Sequence, residues 1–351
     1  MLPRNEYLHP VRSVLPRWSI AAALSLLVLV ATLGWGAQRA QAATLTGSYG
    51  ATHPSQSASD LTEEQKAAAR DEMSIWKAVV LGVVEGVTEY LPVSSTGHLV
   101  VTQRLLDIGN DSATKEAADS YAIAIQFGAI LAVLVLYRRR VRLILRGIIG
   151  RSKRGRQLVI SLALAFLPAV VVGVGLEKPI KAHLLGPVAV VIAWVVGGIV
   201  LLVVAPRIKP DREGVSLTAI TTKQALIIGG AQVLAMWPGT SRSLVTILAA
   251  LAVGTTLAAA VEFSFLLGLL TLGAATVYEG AKSGSTMIDA YGVASPLIGV
   301  VVAFAAAAAS IRWMVKWLQT RSLAIFGWER IVVSVITIGL MLGGVISTTI
   351  A

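Results

Sequence analysis

Residues 82–100 read GVVEGVTEYLPVSSTGHLV, and residues 237–243 read WPGTSRS. Each interrupts an otherwise apolar stretch, the first spanning about 75–106 and the second about 224–254. Pro92 and Pro238 each lack a backbone donor and disfavour helix at the residue before them, and the small polar residues beyond them suit a helix start. Each stretch is therefore expected to form two short helices meeting at a polar tip. Six further apolar runs, near the ~20 residues needed to cross hydrocarbon, lie at about 121–137, 157–176, 188–205, 261–280, 295–313 and 330–349.

Composition supports the same class. The chain has 351 residues, of which 55% are hydrophobic and 14% charged, with a mean hydropathy of +0.75. Soluble domains are about 25% charged, so the expectation is an all-α polytopic membrane protein. Disorder and collagen are excluded by the apolar content and the aperiodic glycines. Zero cysteines exclude a disulfide scaffold, thiol redox chemistry and cysteine-zinc sites. The net charge of +11 would suit nucleic acid, but nine of the thirty Lys and Arg fall between Arg138 and Arg156, in a stretch without acids between two apolar runs. That pattern reads as a cytoplasmic loop. No soluble module with a basic face and base-reading residues is visible, so nucleic acid is set aside as a partner.

The amino-terminal part reads as targeting. Arg4, Arg12 and Arg17 precede an apolar run from Ile20 to Trp35, and Ala40-Gln41-Ala42 forms a small-x-small cleavage site. Residues 1–42 are thus a signal peptide or an uncleaved signal anchor, and both place Ala43 onward outside the cytoplasm. Residues 43–73 are polar and aperiodic, as expected of a flexible external linker. The membrane domain is read as 74–351.

If both broken stretches enter and leave on one side, the inside loops 138–156, 206–223 and 312–330 hold seventeen Lys and Arg, and the outside segments hold seven. This is the bias of the positive-inside rule, and it favours two re-entrant hairpins. Pro92-Val93-Ser94-Ser95 lines up with Pro238-Gly239-Thr240-Ser241. The run YAIAIQFGAILAVLVLY after the first hairpin resembles EFSFLLGLLTLGAATVY after the second. The halves, about 75–205 and 224–350, then form an inverted-topology repeat. Its tips meet near the midplane.

Polar residues at such breaks are candidates for chemistry, because irregular backbone at membrane depth is tolerated only inside protein or on a wet cavity. Glu85 and Glu89 are four apart and share a helix face. Two acids on an apolar helix call for a positive partner, and Mg2+ or Ca2+, held by carboxylates and substrate phosphates, is one candidate. Hydroxyls or an arginine are the other. Ser94, Ser95, Thr96 and Gly97 offer a helix start suited to an anion. Ser95 carries a nucleophilic hydroxyl and His98 can move a proton, although capping serines and a packed histidine would leave the same pattern. Ser241, Arg242 and Ser243 form the second tip, with Thr246 a turn later. A guanidinium forks onto phosphate oxygens, and it can also rest on Glu85 or Glu89. A phosphoester or diphosphate with a lipid tail fits these groups inside a bilayer.

Both motifs resemble those of the undecaprenyl-diphosphate phosphatase family associated with bacitracin resistance, as do IQFGAILAV and EFSFLLG. The resemblance covers about 75–350. It implies hydrolysis of undecaprenyl diphosphate to the carrier monophosphate and phosphate, dependence on a divalent cation, and six spans with two re-entrant hairpins. It also implies a site opening to the outer face of the bacterial inner membrane. By position, Glu85 and Glu89 match the paired acids, Ser95 the proposed nucleophile, His98 the essential histidine and Arg242 the phosphate-binding arginine. Ser94, Thr96, Ser241, Ser243 and Thr246 match surrounding polar positions. One departure is Leu244, where the family usually has glycine; its bulk is expected to narrow the second tip. In the mechanism expected from these motifs, Ser95 attacks with His98 shuttling the proton, or water attacks directly with Ser95 positioning. The rival readings are a transporter or flippase of an anionic polyprenyl-phosphate lipid, and an intramembrane serine protease. The sequence leaves a homodimer open.

Overall fold

The computed structural model describes residues 69–347, except 71, 110, 111 and 185. The targeting segment 1–42 and most of the linker lie outside the described residues. At the linker's end, Ala69 and Met73 are buried with Ala78, Leu81, Leu99 and Tyr121, so packing reaches back into that stretch. No strand occurs among the described residues.

The first hairpin pairs α1 (Ile75–Thr88) with α2 (Ser95–Leu105). Next come α3 (Ser112–Leu136), α4 (Arg138–Ile148), α5 (Lys153–Leu184) and α6 (Pro187–Val204). The second hairpin pairs α7 (Thr222–Gln232) with α8 (Arg242–Ala252). Beyond it lie α9 (Leu257–Tyr291), α10 (Ala294–Trp317) and α11 (Ala324–Leu342). Among the described residues, six helices are long and apolar enough to cross a membrane: α3, α5, α6, α9, α10 and α11. All six coincide with expected spans.

Several boundaries differ from expectation: α3 starts at Ser112 rather than 121, α5 runs to Leu184 rather than 176, and α9 runs to Tyr291 rather than 280. The stretch 138–156, read as a loop, begins as the helix α4, which places Gly147 on Gly155 of α5. The last span starts at Ala324 and ends at Leu342, before Gly343 and Gly344, the latter with φ of 72°. Arg330 is therefore not a loop charge but lies inside α11, fully buried. The inside loops keep sixteen Lys and Arg without it, so the charge bias retains its sign.

Small residues allow the close packing. Gly82 and Gly86 share one face of α1 and lie on α10, where an added Cβ would sit 2.7 Å from the Gly299 oxygen and 2.7 Å from the Ala306 Cβ. This is the small-residue packing of helices that have no hydrophobic drive between them in lipid. Helix α3 packs on both α9 and α10, α5 on α7, and α6 on α11.

Candidate functional site

The two tips are seated on α6. Trp194 donates Nε1–H to the Val93 carbonyl at 2.9 Å, and Trp237 donates to Ala189 at 3.1 Å. Gly97 is required under Trp194, since a Cβ there would lie 2.6 Å from the indole ring. From α11, Arg330 reaches between the tips and donates to Pro92 at 3.2 Å, Gly239 at 2.6 Å and Thr240 at 3.3 Å, and to Ala193 and Trp194 of α6. Five backbone carbonyls from both tips and α6 thus converge on one buried guanidinium.

Ser94 and Ser241 have the same uncommon backbone, with φ of 76° and 74°, directly before α2 and α8. The tips therefore correspond at Ser94 and Ser241, one residue away from the sequence alignment, which pairs Ser95 with Ser241. Gly239, with φ of 91°, supplies the additional residue in the second tip. The helix starts differ in capping. Ser241 Oγ accepts from the Leu244 amide at 3.3 Å, whereas Ser94 makes no side-chain cap. The first-turn amides of α2 therefore stay available to an anion.

Glu89, Ser95 and Arg242 meet in one chain of contacts. Ser95 Oγ donates to Glu89 Oε2, and Arg242 Nη2 donates to Glu89 Oε1 at 2.8 Å. Arg242 also donates Nη1–H to the Ser264 carbonyl at 3.0 Å and stacks over Tyr90, with its Cζ 5.3 Å from the ring centroid. Its guanidinium lies against Gly268, where any Cβ would collide with it. Sequence reasoning missed Tyr90, Ser264 and Gly268, although Tyr90 stands in the first hairpin motif and the other two in EFSFLLG.

These groups border a cavity of about 790 Å3. Glu89, Ser94, Ser95, Thr96, Ser241 and Arg242 form its polar end, and Phe166, Val170, Met236 and Leu272 belong to its apolar wall. The other sequence candidates stand off that wall. Ser243 is fully buried and bridges the tips, donating to the Leu91 carbonyl at 2.8 Å, with Ser241 Oγ at 3.0 Å. Thr246 Oγ1 donates to the Arg242 carbonyl at 2.8 Å and lies 2.7 Å from Ser264 Oγ, bracing α8 on α9. Leu244 points into the apolar core and is absent from the cavity wall, so the expected narrowing does not occur.

His98 does not face Ser95. Its Nδ1 lies 2.7 Å from the Ser94 carbonyl and its Nε2 2.9 Å from Glu329 Oε1, and its ring leans on Trp194. Glu329, beside Arg330 in α11, was missed because 231 residues separate it from His98.

Glu85 is fully buried, and neither carboxylate oxygen has a hydrogen-bond partner among the described residues. Orphaned hard oxygens one turn from Glu89 have the donor chemistry of a divalent-cation site, although Glu85 itself stands off the cavity wall. No cluster of three or more His, Cys, Asp or Glu occurs among the described residues.

The model of the family described as bacitracin resistance protein BacA matches residues 78–336. A protein of Sorangium cellulosum named undecaprenyl-diphosphatase is 44% identical over 266 residues, covering 75% of this chain and 85% of its own. Undecaprenyl-diphosphatase 2 of Rhodospirillum rubrum is 39% identical over 277 residues, 79% of this chain and 98% of its own. Undecaprenyl-diphosphatase 1 of Chromobacterium violaceum is 39% identical over 274 residues, 78% and 98% respectively. The matched region runs from within α1 to within α11 and holds both tips and every candidate side chain, and on that extent the chain belongs to the BacA family.

Proposed function

We propose that this protein hydrolyses undecaprenyl diphosphate to undecaprenyl phosphate and inorganic phosphate, returning the lipid carrier to peptidoglycan synthesis and conferring bacitracin resistance. The observation that carries the reading is the Ser95–Glu89–Arg242 chain at the polar end of an apolar-walled cavity. A diphosphate sits at Arg242 and the uncapped start of α2, and the first isoprene units lie along the apolar wall. The rest of the prenyl chain stays in the bilayer, because a cavity of about 790 Å3 is of the size that takes a drug-sized group.

In this mechanism Arg242 leaves Glu89 for the phosphoryl oxygens, exchanging one charge-assisted pair for another. Glu89 Oε2, already the acceptor of the Ser95 hydroxyl, takes its proton as Oγ attacks the terminal phosphorus. The bond to the bridging oxygen breaks and the lipid monophosphate leaves. Glu89 gives that proton to the departing monophosphate, takes one from the water that attacks the phosphoserine, and returns it to Ser95 Oγ as phosphate is released. His98 acts from behind, holding Ser94 and the α2 start in place through its contact with Glu329. Glu85 and Glu89 would hold Mg2+ or Ca2+, which when bound offsets the diphosphate charge.

Several observations support the membrane arrangement we propose, with re-entrant hairpins in an inverted repeat of 75–205 and 224–350. Exchanging the halves maps the α1–α10 contact onto α7–α5 and the α3–α10 contact onto α9–α5, and maps α3–α9 and α6–α11 onto themselves. With the basic loops inside, the cavity opens toward the outer face of the inner membrane. Homodimerisation is compatible with the exposed apolar flanks of α11, such as Val332, Val335 and Ile336. A transporter finds no support in relatives named for a diphosphatase. A serine protease would need the Ser–His pair that Ser95 and His98 do not make.

The test is free phosphate from undecaprenyl diphosphate with purified protein in detergent, with Mg2+ or Ca2+ and with chelator. Cation-dependent release is expected. No release by wild type, or equal release by Glu89→Ala and Arg242→Ala, overturns the reading.

A further inference from the structure

Gln232 ends α7, just before the second tip. It is 3% exposed and lines the same cavity as Ser95, Ser241 and Arg242. Neither its Oε1 nor its Nε2 has a hydrogen-bond partner among the described residues. Buried amides are nearly always paired, and an unpaired one destabilises the fold. An apolar side chain of equal size would be the more stable choice in a wall shared with Phe166, Val170 and Met236. An amide in this position is accounted for by a partner that enters with the ligand.

The amide presents a double donor at Nε2 and an acceptor at Oε1. Arg242 already biases the polar end of the cavity toward oxyanions, so the donor end matches a phosphoryl oxygen. A fully ionised phosphate offers nothing to Oε1, which needs a hydroxyl or a water. We infer that Gln232 is a substrate-contacting residue whose Nε2–H donates to a phosphoryl oxygen held by Arg242, while Oε1 accepts from a water beside it. The inference rests on the diphosphatase reading of this cavity. It makes the second hairpin contribute through α7 as well as through α8, so the phosphoryl group is held from both arms.

The experiment uses the full chain in detergent with three proteins: wild type, Gln232→Met, which is apolar and of similar shape, and Gln232→Glu, which loses the donor and adds negative charge. Apparent Tm is measured with and without inorganic pyrophosphate, and KM and kcat are measured for phosphate release. For Gln232→Met, the expected results are an unliganded Tm at or above wild type, a diminished pyrophosphate shift, and a KM raised about tenfold or more, the loss of one buried hydrogen bond to a charged group. Gln232→Glu should raise KM further, because its carboxylate repels the diphosphate. If Gln232→Met lowers the unliganded Tm and leaves KM and the pyrophosphate shift unchanged, Gln232 is structural and the inference is overturned. A wild type that releases no phosphate overturns the diphosphatase reading instead, and the pyrophosphate comparison still decides whether Gln232 meets phosphoryl oxygens.

Discussion

Replacing Arg330 by Met removes a side chain that ties both tips to α11. Three of its acceptors, Pro92, Gly239 and Thr240, lie outside the helices. A buried carbonyl left without a donor costs ~1–3 kcal/mol. Taking the low end for the contacts at 3.2 and 3.3 Å and the high end for the one at 2.6 Å gives about 5 kcal/mol. The helical carbonyls of Ala193 and Trp194 add little, because they already sit in the α6 ladder. Against this, Met no longer requires a cation to be desolvated, and it fills much of the space on Gly197, which the guanidinium touches.

The net loss is then about 2–4 kcal/mol, a large part of a total stability of ~5–15 kcal/mol. For a protein of this size that lowers apparent Tm by roughly 3–5 °C. Activity should fall further than stability, since displacing a positioned group by about 1 Å can cost ~100-fold, and Ser95 and Arg242 start the helices behind the two tips. Arg330→Lys should be intermediate in Tm yet nearly as inactive, because one ammonium cannot span carbonyls on two tips and α6. Thermal unfolding in detergent and phosphate release, measured side by side, provide the check. An Arg330→Met protein within about 2 °C of wild type and with normal turnover would refute the staple.

Gly268→Ala places a methyl where the Arg242 guanidinium rests; we expect an unchanged or higher Tm, as alanine favours helix, with kcat/KM reduced about tenfold or more. Glu329→Leu and His98→Ala should each lower kcat, and the double variant should lose no more than the worse single one. A double-mutant cycle showing strict additivity would mean the two side chains are not coupled. Glu85→Gln removes a buried carboxylate that lacks a partner, so Tm should hold or rise while the Mg2+ or Ca2+ dependence of phosphate release disappears. A Glu85→Gln enzyme with an unaltered cation titration would exclude that carboxylate as a ligand.

How much of this could be read from the chain depended on whether the signal was local. Apolar run length located all six long helices, and Pro92 and Pro238 located both tips, because both follow from backbone sterics and helix length. The pairing of Arg242 with Glu89 was among the anticipated options, since an intramembrane acid requires a positive partner. The choice of Ser95's partner was not legible. A Ser-x-x-His spacing suggests a nucleophile and its base, yet His98 turns to the Ser94 carbonyl and Glu329, leaving Ser95 to Glu89. Nothing within a few residues of His98 announces an acid 231 positions away. Arg330 is a different case. The charges before residue 330 look like the boundary of the last span, and a span that begins there sets a buried arginine among the loop cations. A helix beginning at Ala324 puts an ionisable group inside a span, where the default expectation is a functional or structural partner. The misplaced boundary thus concealed the residue that fastens the tips together, and the same rule that singled out Glu85, Glu89 and Arg242 would have singled out Arg330.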